Sequence, residues 1–268
     1  ISNFTIPQVL RIVWAPDSKR AVIFYNLDNQ VRKLLIDYST TTPRTNFLPD
    51  SVSDAAFSPD SRSLAFINDR NIFVATADFR NPRKISDNNI PGLELSWPNQ
   101  NLIALKTKSS YAARGFLYAL NASNGELTKI AEGLGLDAVW NTDGSGAIYS
   151  RSDADGNMQN IKFVDARTLS EKELDIKTIA EKCVFLKTLK NIAYCAAPRG
   201  AAGGLPDDWW KGKISFTDDF VSLDISTGRT SSFIPTPLDV VSPKILANDS
   251  YLLFQDKISG SLWGLKLK

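Results

Sequence analysis

The sequence predicts an all-β protein, a six-bladed β-propeller built from four-stranded antiparallel blades. Three observations predict this fold: an aromatic residue followed by a tight turn recurs along the chain, further short apolar runs follow each recurrence, and helical periodicity is nearly absent. Repeats of about 40–45 residues with four strands each are typical of propeller blades. With 268 residues, the chain is long enough for one large core, and we expect a single propeller domain over 1–268.

The repeat is defined by the aromatic residue that ends its first strand. In the four strongest copies these residues are Trp14, Phe57, Trp97 and Trp140, at spacings of 43, 40 and 43 residues. A turn follows each of them, because Pro presets φ and Asp or Asn binds its own backbone. Two weaker copies, at 184–194 and 244–254, lack the turn motif and bring the count to six. We expect the four aromatic side chains to lie in the core.

Each copy continues into further strands with alternating side chains. Second strands are predicted at Ala21–Tyr25, Leu64–Ile67, Leu102–Leu105 and Ala147–Tyr149. Third strands are predicted at Val31–Ile36, Ile72–Ala75, Phe116–Leu120, Ile161–Val164, Phe220–Leu223 and Leu262–Leu265. More polar fourth strands are predicted at Arg83–Ser86, Leu127–Ile130 and Ser231–Ile234. The segment Glu171–Glu181 is the one place where a short helical turn is expected.

The start of the chain supplies a strand that the last copy lacks. The sixth copy reaches Lys268 after three strands, and Ser2–Ile6 is an alternating stretch without a partner. We expect this stretch to be the outer strand of the last blade and to latch the ring, because an open ring leaves sheet edges unpaired. The chain begins at Ile1 and contains a single methionine, Met158, so we also expect it to belong to a longer, N-terminally anchored protein.

The turn sequences carry a family resemblance. Segments Phe57–Ser61 (Phe-Ser-Pro-Asp-Ser) and Trp14–Ser18 (Trp-Ala-Pro-Asp-Ser) resemble the WD40-like repeat of bacterial propellers, the PD40 or TolB type. Among the other copies, Trp97–Asn99 departs from the pattern by a deletion and Trp140–Gly144 by a substitution. The resemblance implies a bacterial cell-envelope scaffold, periplasmic or at the cell surface, that binds a protein or peptide. Such a likeness is specific to the fold rather than to an activity.

Composition and charge exclude several classes of function. The 31 Lys and Arg residues nearly balance 29 Asp and Glu, which argues against a nucleic-acid partner. The absence of histidine removes Ser-His-Asp and Cys-His catalysis and histidine-ligated metals. First strands appear mostly apolar, which argues against a metal site in the channel, and Asp153–Asn157 fits a hairpin turn better than a calcium loop. We expect no enzymatic activity, no cofactor and, without an apolar run of about 18 residues, no membrane insertion by this stretch of chain.

Two cysteines lie in a predicted hairpin. Cys183 and Cys195 are equidistant from Leu189, which lies in the predicted turn Thr188–Asn191, so their side chains are expected to face each other across the strands. Two interpretations stay open: a pair of buried reduced thiols, or a disulfide, which would imply an oxidising compartment.

The candidate binding surface consists of three long segments that interrupt the second and third strands of successive blades: Lys106–Gly115, Arg151–Asn160 and Ala197–Ser215. In a propeller these connections emerge on one rim, and loops beyond about 12–15 residues are usually functional or disordered. Lysine and arginine residues make this rim mildly basic: Lys106, Lys108, Arg151, Lys211 and Lys213.

Adjacent tryptophans stand out in the third segment. One interpretation is that Trp209 or Trp210 folds back to plug the channel mouth or to cover the blade; the other is that they anchor a peptide or stack on a sugar ring. The predicted binding residues are Trp209, Trp210, Tyr111, Arg114, Arg199 and Lys211. The predicted function is a non-enzymatic extracytoplasmic scaffold for a protein or peptide partner. The alternative is a carbohydrate-binding or carbohydrate-processing envelope protein, with a glycan as its ligand, stacking tryptophans and acidic residues near the channel. Asp207 and Asp208 could pair as acid and base only if a sugar cleft surrounded them, and adjacent loop residues rarely have the needed separation.

Overall fold

The computed structural model describes residues 5–87, 89–200 and 202–267, and this chain is an all-β, six-bladed β-propeller. Six antiparallel sheets follow one another along the sequence, five with four strands and the last with three among the described residues. The chain divides into two compact units, Ile1–Thr107 with Ala119–Thr128, and Lys108–Tyr118 with Lys129–Lys268.

In the first three blades, the strands of each sheet pair in sequence order. The first blade contains β1 (Val9–Trp14), β2 (Arg20–Leu27), β3 (Gln30–Asp37) and β4 (Arg44–Phe47). The second contains β5 (Val52–Phe57), β6 (Ser63–Asn68), β7 (Asn71–Thr76) and β8 (Arg83–Asp87). The third contains β9 (Leu93–Asn99), β10 (Leu102–Thr107), β11 (Arg114–Asn121) and β12 (Leu127–Leu134).

The remaining blades repeat this order and carry two short helical segments. The fourth blade contains β13 (Asp137–Trp140), β14 (Gly146–Ser150), β15 (Lys162–Asp165) and β16 (Glu171–Glu173). A 3-10 turn at Ala180–Lys182 leads into the fifth blade, with β17 (Cys183–Phe185), β18 (Ile192–Pro198), β19 (Asp218–Asp224) and β20 (Arg229–Pro235). The helix α1 (Asp207–Trp210) lies between β18 and β19. The sixth blade contains β21 (Val240–Ile245), β22 (Tyr251–Asp256) and β23 (Leu262–Lys266).

Four of the six turns that follow the first strands share one backbone feature. Their last residue is left-handed, with φ of +59° at Ser18, +62° at Ser61, +69° at Gly144 and +56° at Asp249. The preceding side chain caps the turn: Asp17, for example, accepts the N–H of Lys19 at 2.9 Å, and Asn248 accepts that of Ser250 at 3.1 Å. The sixth copy therefore keeps the turn, although its sequence does not match the Pro-Asp-Ser pattern.

Buried apolar side chains from neighbouring sheets form the cores. One core joins the first two blades around Phe24, Leu64 and Phe66, with Phe57 among its members. Trp97 and Trp140 are partly buried. Trp14 is 53% exposed, so the prediction that it belongs to the core is wrong. The reason is strand alternation: Val13 packs against the core, so Trp14 points to the opposite face, where its ring stacks on Tyr38.

Two predicted segments differ in detail from the structure. Residues 171–181, expected to hold a helical turn, begin with strand β16 and reach a 3-10 turn only at Ala180. Residues 1–4 lie outside the described residues, and they include most of the stretch that was predicted to latch the ring. Ile6, at the end of that stretch, packs against a first-blade cluster that includes Ile23 and Leu34. The latch stays a prediction.

The hairpin β17–β18 brings the two cysteines together. Cys183 pairs directly with Cys195 across the strands, and the two side chains form a disulfide. Both residues are buried in a cluster shared by the fourth and fifth blades, together with Ile148 and Val221. Because the bond closes a short loop in a buried hairpin, it stabilises the innermost strands of the fifth blade.

Candidate functional site

Helix α1 is the point at which the third-blade loop meets the fifth-blade insert. The Asp207 carboxylate accepts a hydrogen bond from Ser110 Oγ at 3.0 Å and one from the backbone N–H of Tyr111 at 2.9 Å. The first turn of α1 also contains Asp208, which forms an ion pair with Lys213 at 2.9 Å. Both aspartates therefore hold loop residues in place, which argues against their acting as the acid and base of a carbohydrate-processing site.

The fourth-blade turn packs against the same insert through backbone hydrogen bonds. Gly204 and Leu205 donate their N–H groups to the carbonyls of Asp155 and Gly156 at 3.0 and 2.9 Å. Ser152 Oγ donates to the Leu205 carbonyl at 2.7 Å. Gly156 has φ +76°, and a Cβ at this position would overlap the backbone nitrogen of Gly204, so only glycine permits this approach. Parts of all three predicted segments therefore contact one another.

Three of the five cations predicted to make this rim basic, Lys106, Lys211 and Lys213, pair with neighbouring carboxylates, and so do the predicted binding residues Arg114 and Arg199. Arg114 pairs with Glu132 at 2.7 Å, Arg199 with Asp219, Lys211 with Asp207 at 3.6 Å, and Lys106 with Glu94 at 3.1 Å. The hydrogen bond to Asp219 raises the pKa of the Arg199 guanidinium. Arg114 and Arg199 are thus each tied to a neighbouring strand of their own sheet, and their role in binding stays a prediction.

Trp209 is a core residue, so the prediction that it contacts a partner directly is wrong. Its side chain is 0% exposed and packs with Ile179, Leu205 and Phe216. The indole N–H is shared between the two carboxylate oxygens of Asp239, each at 2.9 Å. The indole N–H of a buried tryptophan needs a hydrogen-bond acceptor, and the Asp239 carboxylate is that acceptor for Trp209.

A buried lysine holds this carboxylate in place. Lys182 Nζ donates to Asp218 at 2.7 Å and to Asp239 at 2.8 Å, and all three side chains are 0% exposed. The ammonium also lies 4.7 Å from the centre of the Trp209 ring and 5.0 Å from that of Phe216. We refer to Lys182, Asp218, Asp239 and Trp209 as the buried charge network.

The network carries two carboxylates for one ammonium. The carboxylate of Asp218 uses Oδ2 to accept the N–H of Val240 at 2.7 Å as well as Lys182, whereas its buried Oδ1 has no hydrogen-bond partner among the described residues. Burial raises the pKa of Asp218, and the attraction of Lys182 only partly opposes this shift.

Two of the predicted residues remain at the surface beside the network. Trp210 is partly buried, and its indole N–H donates to Glu181 at 3.0 Å. Tyr111 is also partly buried and is held through its backbone by Asp207. Tyr111, Trp210 and Lys211 lie on or next to α1 and are less buried than Trp209, which belongs to the core. We refer to these three residues as the outer surface of α1.

A cleft with two parts lies beside the fourth-blade loop. Its polar part, about 430 Å³, is lined by residues of the fourth blade and of the segment that follows it: Arg151, Asp153, Asn157, Met158, Gln159, Asn160, Lys162, Glu173 and Lys177. It adjoins a smaller pocket of about 130 Å³, lined by Asn157, Met158, Lys177, Pro198, Gly200, Ala202, Leu205 and Phe216. Leu205 and Phe216 belong to the same apolar cluster as Trp209, so the buried charge network lies behind this pocket.

The sequence analysis missed the three charged residues of the network, Lys182, Asp218 and Asp239, although a signal for Lys182 exists. The third residue before the aromatic is charged in five copies of the repeat: Arg11, Asp54, Glu94, Asp137 and Lys182. Asp54 pairs with Arg11 and accepts the N–H of Leu95, and Asp137 accepts the N–H of Glu181. The expectation that the first strands are mostly apolar is therefore wrong at this position, which fastens one blade to the next.

Three further observations concern metal binding, the turn at 153–157 and membrane-spanning helices. Across the described residues, no group of three or more cysteine, aspartate or glutamate side chains is arranged to hold a metal ion. The turn at 153–157 is closed by the Asp153 carboxylate, which accepts the N–H groups of Asp155 and Asn157. None of the helices in the described part of the chain has the length and apolar character that a membrane crossing requires.

Comparison with solved structures places the chain among β-propellers. Hydrazine synthase from Kuenenia stuttgartiensis superposes with a TM-score of 0.67 at 12% identity, over 99% of this chain and 78% of that one. A functionally unknown protein from Desulfotomaculum acetoxidans gives 0.62 at 14%, over 98% and 84%. TolB from Acinetobacter baumannii gives 0.54 at 16%, over 85% of this chain and 54% of TolB. At these identities the likeness shows the fold alone.

No protein-family model matches the chain, and no curated protein matches it either. Membership in the WD40-like repeat family therefore stays a prediction, while the TolB-like propeller architecture is supported by the structural likeness. Since hydrazine synthase is among the similar structures, the fold is compatible with enzymes as well as with binding proteins.

The two tryptophans of α1 offer a matched pair of substitutions. In Trp209→Phe the buried Asp239 carboxylate loses a donor, and we expect the free energy of unfolding to fall by about 1.5–3 kcal/mol. In Trp210→Phe the partner Glu181 stays accessible to water, so the loss is expected to be below about 1 kcal/mol. Urea unfolding of both variants measures the difference. Equal losses would contradict the assignment of Trp209 to the core.

Two glycines with positive φ test the contact between the fourth-blade turn and the insert. Gly156→Ala places a methyl group against Gly204, whereas a Cβ at Gly200, φ +90°, meets no described atom within 4 Å. Both variants carry backbone strain of about 1 kcal/mol, but only Gly156→Ala adds overpacking of about 1–3 kcal/mol. Thermal unfolding together with hydrogen exchange of Gly204 and Leu205 checks this. Indistinguishable variants would show that the turn and the insert do not pack as described.

Proposed function

We propose that this protein is a non-enzymatic scaffold that binds a protein or peptide partner through the polar cleft of the fourth blade and the apolar pocket between that cleft and the fifth-blade insert. The observation that carries the proposal is the combination of a polar cleft of about 430 Å³ with an adjoining, mostly apolar pocket of about 130 Å³. Binding sites of this kind use an apolar pocket for affinity and a few convergent polar groups for orientation.

The rigidity of the cleft supports the proposal. Its walls are held by backbone hydrogen bonds at Gly204 and Leu205, and its floor rests on the buried charge network. A preorganised site binds a flexible peptide more tightly, because the protein loses little conformational freedom on binding. The outer surface of α1, with Tyr111, Trp210 and Lys211, lies on the same insert and extends the area for a larger partner.

A carbohydrate ligand is less well supported. Sugar-binding sites present the open face of an aromatic ring, but Trp209 is buried and the Trp210 indole is tied to Glu181. Asp207 and Asp208 are already bound to Ser110, Tyr111 and Lys213. The features that favoured a carbohydrate-processing protein therefore have structural roles.

We also propose that the protein works outside the cytoplasm. The disulfide between Cys183 and Cys195 supports this location, because disulfides persist in oxidising compartments and are rare in the cytosol. A scaffold for protein partners in the cell envelope agrees with the predicted bacterial origin.

Filling the pocket tests the proposed function. Ala202 lines the pocket, and Ala202→Trp is expected to occupy most of its volume, whereas Ala113→Trp adds the same side chain at an exposed position in the third-blade loop. The probes are peptides selected on the wild-type protein from two random dodecapeptide libraries, one with a blocked N-terminus and one with a blocked C-terminus. These peptides should bind Ala202→Trp at least about tenfold more weakly than the wild type, which corresponds to about 1.4 kcal/mol. Ala113→Trp should bind as the wild type does.

Isothermal titration calorimetry supplies the affinities, and the thermal midpoints of both variants serve as the control for folding. Equal affinity of the wild type and Ala202→Trp would contradict the proposed site. Selection of no peptide at all, together with specific binding on a glycan array, would overturn the proposal in favour of a carbohydrate ligand.

A further inference from the structure

Building on the proposed function, we infer that the cleft recognises the free C-terminal carboxylate of a partner polypeptide whose last side chain is apolar. The inference rests on the junction of the polar cleft and the apolar pocket. Asn157, Met158 and Lys177 line both spaces, so the Lys177 residue lies at the boundary between the polar cleft and the apolar pocket.

The carboxylates along the cleft are already engaged within the protein. Asp153 accepts hydrogen bonds from the backbone and side chain of Asn157 and from the N–H of Asp155. Glu173 accepts one from Asn160 at 3.1 Å. Neither carboxylate forms an ion pair among the described residues, and both keep their negative charge. They stand against three cations among the residues that line the cleft: Arg151, Lys162 and Lys177.

Lys177 is a cation without a carboxylate partner in the described part of the chain. Lys162, the other lysine of the cleft, is paired with Glu171 at 2.9 Å. The backbone of Lys177 is held on both sides, because Ile176 and Thr178 are buried and Thr178 Oγ1 donates to the Ala196 carbonyl at 2.5 Å. The exposed ammonium of Lys177 thus stands on a fixed backbone, ready for an anion from outside.

The small pocket fits one apolar side chain. Its volume of about 130 Å³ is comparable to the cavity of about 150 Å³ that takes up benzene in a protein core. Met158, Leu205 and Phe216 supply apolar walls, and two of these residues are themselves buried. A branched aliphatic or aromatic side chain is therefore the expected occupant.

A C-terminal residue can place its side chain in the apolar pocket and its carboxylate in the polar cleft at the same time. Its carboxylate and its side chain leave the same Cα, so they lie a few ångströms apart, whereas an internal Asp or Glu needs a second residue to supply the apolar group. The Asn157 Oδ1 atom and the Gln159 side chain form no hydrogen bond with the described residues and are available to the last peptide group. A carboxylate–ammonium hydrogen bond is stronger than a neutral one.

Short peptides with defined C-termini test this inference. The probes are Ac-Gly-Ser-Gly-Ser-Gly-Leu as the free acid, the same peptide as the C-terminal amide, and the free acid ending in Ser. Because solvent weakens an ion pair with the exposed ammonium of Lys177, we expect the Leu acid to bind the wild type about three- to fivefold more tightly than the Leu amide. The acid ending in Ser should also bind more weakly, since it leaves the apolar pocket empty.

Two lysine variants separate a specific contact from general charge. Lys177→Met keeps the length of the side chain but removes the ammonium, and should reduce the acid-to-amide ratio to about one. Lys108→Met removes an exposed ammonium that does not line the cleft, and should leave the ratio unchanged. Affinities come from isothermal titration calorimetry at two salt concentrations, because screening should weaken the preference for the acid.

The outcomes distinguish the inference from the proposed function. Equal binding of acid and amide, with both lost in Ala202→Trp, would overturn the recognition of a C-terminus and leave a peptide-binding cleft. An acid preference that survives in Lys177→Met would also overturn the inference. If none of the probes binds while library peptides with a blocked C-terminus do, the inference fails and the proposed function stands.

Discussion

The buried charge network is the constraint on which the rest of the site depends. Lys182 lies in the core with Asp218 and Asp239, and a buried ammonium is stable only when its hydrogen-bond partners are fixed. The partners come from separate elements: Asp218 begins β19, Asp239 precedes β21, and Trp209 belongs to α1. One lysine side chain therefore fixes the fifth blade, the sixth blade and the insert relative to one another.

The surface features follow from this arrangement. Trp209 is held by Asp239, and the cluster around Trp209 supplies Leu205 and Phe216 to the pocket wall. Leu205 in turn binds the fourth-blade turn through the Gly156 carbonyl. The apolar pocket is therefore lined by segments that the core supports from below, which is what a preorganised binding site requires.

The sequence predicts the fold to a large extent because the repeat is a local pattern. Aromatic residues, turns and alternating strands are encoded within a few residues of one another, and even the altered turn at Asn248 keeps its conformation. The convergence of the three long segments was also predictable from the order of the strands. Burial was harder to predict, as Trp14 and Trp209 show: one aromatic of the repeat is exposed, and the candidate anchor is enclosed.

The site itself required the three-dimensional structure. Whether a lysine is solvated, paired or free depends on residues distant in sequence, as with Lys182 and Asp239, which are 57 positions apart. The charged position before each aromatic was visible in the sequence, but its pairing was not. Lys177 belongs to no sequence motif. It differs from other exposed lysines only in its position between two buried residues and beside the apolar pocket.

The most direct test of this account is the stability of Lys182→Met as a function of pH. Without the ammonium, two buried carboxylates face each other unpaired, and at pH 7 we expect the variant to lose about 3–5 kcal/mol relative to the wild type. In the variant, the attraction of Lys182 no longer opposes the effect of burial, so the pKa of Asp218 rises further above its unfolded value and the folded state takes up a proton more readily. The difference from the wild type, measured by urea unfolding at each pH, should therefore shrink as the pH falls from 7 towards 4. A loss that is small at pH 7, or that does not change with pH, would contradict the central role of the buried charge network.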